Sequence, residues 1–134
     1  MKTRNFYIIG VDFDGTLVTH AYPEIGKDIG AVKVLKRIVE NGHKLILNTM
    51  RSEINLIDEA LNWISENEIE LYGINKNKDQ NTWTNSPKSY CNIYIDDAAL
   101  GCPLIYDEEL SDRPFVDWNK VEYMLEEMGI LKNN

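Results

Sequence analysis

Asp12 and Asp14 stand two residues apart at the end of an apolar run, residues 6–10, and are followed at once by Gly15 and Thr16. The run reads as a short strand buried on both faces. A buried strand that ends in carboxylates breaks local consistency, as functional sites do. Side chains alternate along a strand, so Asp12 and Asp14 are expected on one side while Phe13 turns back to the core. Gly15 frees the backbone to turn and to bring amide N–H groups over the strand end. Carboxylates this close repel each other unless a proton or a metal ion intervenes. The simplest catalyst using both is a divalent cation with one Asp as nucleophile and the other as proton carrier.

Two more apolar runs end in polar groups. Leu45-Ile46-Leu47 leads to Asn48 and Thr49, and Ile93-Tyr94-Ile95 stops at Asp96-Asp97. Thr49 closes its run with a hydroxyl and is a fair helix N-cap. Lys88 precedes the second acidic pair; Lys76 and Lys78 share its loop, and any of the three could serve an anion. Arg51 is a candidate clamp for an anionic substrate group or an exposed helix-start residue, and His20 lies in the stretch above Asp12. His20 and His43 otherwise read as surface or turn residues, and Trp83 and Trp118 as packing or rim residues.

The elements that would position these groups alternate. Strands are expected at 6–10, 44–49, 71–74 and 90–95, with a brief strand at 104–106 inside the poorly patterned stretch 98–116. Amphipathic helices are expected at 29–41, 53–67 and 118–128, with Asp28, Ser52 and Asp117 as caps. Their inner stripes read Ile29, Val32, Leu35, Ile38 and Val39; then Ile54, Ile57, Leu61 and Ile64; then Val121, Leu125 and Met128. This order implies a parallel α/β sheet with helices on both faces, and ligands then gather beyond the C-terminal strand ends. Asp12/Asp14, Thr49 and Asp96/Asp97 all fall there.

The 134 residues suffice for one domain, 1–134, with a real core. A net charge of −8 disfavours nucleic acid and anionic membrane surfaces as partners. Cys91 and Cys102 form no CxxC and no zinc spacing, and read as small buried hydrophobes in a reducing compartment. The N-terminal apolar run is too short for a signal-peptide core or a membrane span. A cytoplasmic protein is expected.

The chain resembles the haloacid dehalogenase-like superfamily of aspartate-nucleophile phosphotransferases. Asp12, Asp14, Gly15 and Thr16 match its first motif, DxDGT, in full; Thr49 matches the second, Lys88 the weaker third, and Asp96-Asp97 the fourth. The resemblance implies a three-layer Rossmann-like sheet and a magnesium-dependent phosphomonoesterase. Asp12 would attack phosphorus to form an aspartyl-phosphate. Asp14 would protonate the leaving oxygen and later deprotonate the hydrolytic water. The Mg2+ ligands would be Asp12, the backbone carbonyl of Asp14 and Asp96, with Asp97 holding a metal-bound water or the lysine. Thr49 and Lys88 would bind the phosphoryl group.

Only a turn and small flap fit between residues 17 and 28, and one helix and one strand largely fill 51–87, so no cap domain is expected. An open site suits a phosphorylated substrate borne by a macromolecule, closure by a neighbouring subunit, or a small substrate held by His20, Tyr22 and Pro23. Two binding-class readings compete: a receiver-like domain, whose phosphoacceptor would fall near residues 74–79, and a catalytically silent phospho-ligand-binding domain.

Overall fold

A computed structural model describes residues 5–133; positions 1–4 and 134 of the expected domain lie outside the described residues. The order is β1 (Ile8–Val11), α1 (Ala31–Glu40), β2 (Lys44–Leu47), α2 (Ile54–Glu66), β3 (Gly73–Ile74), a 3-10 helix (Gln80–Thr82), β4 (Ile93–Ile95), β5 (Leu104–Ile105), β6 (Phe115–Val116) and α3 (Trp118–Glu127). The parallel sheet runs β3-β2-β1-β4, and β5 and β6 form a separate antiparallel pair.

The layers follow from chain direction. Two βαβ steps move outward from β1 to β2 to β3, and right-handed crossovers place α1 and α2 on one face. The return from β3 to β4 runs the opposite way and so covers the other face. Ile9, Val11, Leu45 and Leu47 alternate onto the first face and share one core with Leu35 and Ile38 of α1, Ala60 and Ile64 of α2, and Val121 and Leu125 of α3. Ile8 and Ile46 point the other way and pack with Cys91, Phe6, Tyr72 and Tyr90. On that second face Gln80 of the 3-10 helix accepts from the Tyr90 N–H and donates to the carbonyls of Ser86 and Lys88. The fold is the three-layer α/β sheet that the alternation implied. Helix lies on both faces, α-helix on one and a 3-10 turn on the other.

Several local expectations are corrected. Asp28 accepts from the Gly30 N–H instead of capping α1, which starts after Gly30 in a left-handed conformation. Glu53, not Ser52, is the N-cap residue of α2. Ile54 is 75% exposed, because the buried stripe of α2 runs through Ala60 and Ile64, with Trp63 against Phe13. Met128 lies beyond α3 and is exposed. Asp117 does cap α3, accepting from the Lys120 N–H.

Candidate active site

β1 ends at Val11, and the chain then closes a tight turn in which the N–H groups of Thr16, Leu17 and Val18 all point at the Phe13 carbonyl. Strand alternation stops there, so Asp12 and Asp14 diverge instead of sharing one side. Asp12 joins Asp96 and Asp97, from the end of neighbouring β4, in a group whose carboxylate oxygens lie within 4.8 Å of one another. The Asp14 carboxylate turns to Arg51.

Thr16 fastens the acid group together. Its fully buried hydroxyl lies 3.0 Å from Asp12 Oδ2 and 3.2 Å from Asp97 Oδ1, and accepts from the Asp97 N–H at 3.1 Å. One proton serves one carboxylate at a time, and the other keeps an unshared negative oxygen. Burial pushes the Asp12 carboxyl up to about 7, with the negative charge of Asp96 and the contact with Asp97 adding to it; hydrogen bonds from Thr16 and the Phe13 backbone oppose the rise. Three converging carboxylates, oxygen-only and short of positive charge, suit a hard divalent cation. Asp14 could add only its backbone carbonyl, since both its side-chain oxygens are engaged.

His20 reaches the group from the flap, its Nε2 3.0 Å from Asp97 Oδ2. The ring lies directly over Gly15, where a Cβ would strike the imidazole and Asp97. Gly15 is therefore required for this approach as well as for its φ of +83°.

Arg51 departs most from expectation. It is neither exposed nor free to clamp a substrate. Its side chain is buried, and all five guanidinium N–H groups are used: Nε and Nη2 donate to the two Asp14 oxygens at 2.9 and 2.7 Å, and the rest reach the carbonyls of Pro23, Glu24 and Leu56. The Phe13 and Tyr22 ring centroids lie 5.1 and 5.2 Å from its central carbon. Arg51 thus ties the strand-end turn, the flap and the start of α2 to one point.

Thr49 stands at the end of β2. Its hydroxyl accepts from the Arg51 N–H and its own N–H donates to Asn75 Oδ1 at 2.7 Å, so it shapes the loop and is not the N-cap of α2. The Lys88 ammonium lies 5.0 Å over the Tyr94 ring on the second face, and no ion pair joins it to the acid group among the described residues. Lys78 stands over Tyr72 beside Lys44, at the opposite end of the sheet, which removes it from the site. Lys76 lines a cavity of about 350 Å3 whose wall residues Asn75 and Ser89 hydrogen-bond Thr49 and Asn48. Asp79, the only acid near a receiver's phosphoacceptor position, accepts from the Tyr72 hydroxyl, away from the other acids.

Trp118 packs in the core as expected, but sequence reasoning missed the hydrogen bonds of three residues. Asn75 adopts φ +54° to present its amide to Thr49. The Trp118 indole N–H donates to the Thr16 carbonyl at 2.6 Å, bracing the strand-end turn from α3. His43 accepts from the Tyr7 N–H and pairs its other nitrogen with the Ile130 carbonyl, well away from the acids. The position of Asn75 straight after a strand was a signal available in advance; Trp118 carried none.

No protein-family model and no curated protein matches the chain. Among solved structures it is similar to a conserved protein coded by a locus of Bacteroides thetaiotaomicron, at 34% identity and a TM-score of 0.75, over 92% of this chain and 93% of that one. At that identity over nearly the whole of both, the chain belongs to the same family as that conserved protein. Among the described residues, no helix is long and apolar enough to cross a membrane.

Proposed function

We propose that the chain is a capless, magnesium-dependent phosphomonoester hydrolase of the haloacid dehalogenase-like type, working in the cytoplasm through an aspartyl-phosphate. The observation that carries this reading is the convergence of Asp12, Asp96 and Asp97 from two adjacent strand ends. When bound there, Mg2+ would supply charge neutralisation for the acids and the phosphoryl oxygens. Asp12, Asp96 and Asp97 would hold it, with the Asp14 carbonyl.

The residues divide the chemistry. An Asp12 oxygen attacks phosphorus as the bond to the leaving oxygen breaks, and Asp14 gives that oxygen a proton. In the second half Asp14 takes a proton from water, whose oxygen bonds to phosphorus while the Asp12–phosphorus bond breaks. Thr49 and Lys76 or Lys88 would contact the phosphoryl group. One observation favours the catalytically silent, phospho-binding alternative: Arg51 occupies both Asp14 oxygens. For catalysis Asp14 must exchange one of those contacts.

Hydrolysis of p-nitrophenyl phosphate decides between them. The hydrolase reading predicts Mg2+-dependent release of p-nitrophenol, abolished in Asp12→Asn. Absence of turnover with Mg2+, or equal rates in parent and Asp12→Asn, contradicts it.

A further inference from the structure

Immediately beyond the Asp96-Asp97 pair, the outer edge of β4 and the flank of α3 enclose a cavity of about 210 Å3, walled by Ile93, Ile95, Val121 and Leu125 and roofed by the 99–103 loop. β4 is the outermost strand of its sheet, so nothing in the sheet covers this side. Every residue lining the cavity is uncharged, on a chain that is 27% charged and carries a net −8. Within that roof Leu100 projects fully, at 106% relative exposure, and Tyr94, Met124 and Met128 are 40–55% exposed. A large apolar knob and an apolar hole thus share one patch.

We propose that this patch binds a second copy of the chain in a two-fold dimer, with Leu100 of each copy entering the cavity of the other. A knob and a hole on one surface allow the self-complementary pairing that a two-fold contact requires. The area fits. At about 200 Å2 for a large side chain, the exposed parts of Leu100, Met124 and Met128 come to on the order of 400 Å2. A standard interface takes about 800 Å2 per copy, of which roughly three-fifths is apolar.

Sedimentation equilibrium under reducing conditions, which prevents a disulfide through Cys102, tests the contact. From low micromolar to a few hundred micromolar, the parent mass should rise from 15.5 kDa toward twice that value. Leu100→Asp should raise the dissociation constant at least tenfold, and Leu100→Asp with Met124→Lys should leave monomer throughout. Both side chains are exposed, so neither change threatens folding. A parent that stays monomeric, or a dimer that survives the double change, overturns the proposal. Neither outcome depends on phosphatase activity.

Discussion

At Asp12 two demands oppose each other: the fold partly buries the carboxylate, and the proposed chemistry needs it ionised. Its acidity, ordinarily near 3.8, is displaced to about 7, chiefly by burial and then by Asp96. The folded chain therefore binds an extra proton between those pH values, and the contribution of Asp12 to stability is lost as pH rises through that window. The total is on the order of 4 kcal/mol. Without divalent cations, thermal unfolding should shift to lower temperature between about pH 4 and pH 8. Mg2+ should restore stability at the upper end by binding only the folded, ionised group. Asp12→Asn should flatten the profile and, without metal at the upper pH, melt above the parent. A metal-free Asp12→Asn that melts below the parent there contradicts this account of the site's electrostatics.

At the scale of elements, Arg51 adds directional hydrogen bonds to parts that already share the core. The strand-end turn, the flap and the first turn of α2 all end on its guanidinium. Replacing it with Met leaves a partly buried carboxylate without its counter-charge and three carbonyls without donors. That should destabilise the chain by about 3–5 kcal/mol. Arg51→Lys, with three donors in place of a planar fork, should recover only part of the loss. Urea denaturation measures both, and an Arg51→Met variant within about 1 kcal/mol of the parent would remove Arg51 from this role. The periodicity of the helices and the apolar runs of the strands announced these elements because burial imposes those periods. Arg51 was not legible in the same way. Exposure is the default for an arginine, and only the three-dimensional meeting of Asp14, Tyr22 and Leu56 makes a buried one tolerable. The divergence of Asp12 from Asp14 was hidden for a similar reason, because strand alternation holds only to Val11.

On the scale of the whole molecule, the sheet gathers at one edge what the sequence scatters over 86 positions, from Asp12 to Asp97. That gathering was readable, because parallel strands bring their C-terminal ends together whatever lies between. The lysine was not readable, since the 75–92 loop folds across a face of the sheet and sends Lys78 to the wrong end and Lys88 over Tyr94. The short β5–β6 pair was half legible, because a two-residue strand gives no period to detect. Covalent phosphorylation of Asp12 can be caught by acid quenching. Protein with Mg2+ is mixed with radiolabelled acetyl phosphate, stopped in acid within milliseconds and digested. The account predicts a hydroxylamine-labile label on the peptide containing Asp12, absent from Asp12→Asn. Label on another peptide, or turnover of the substrate with no label on Asp12, contradicts it.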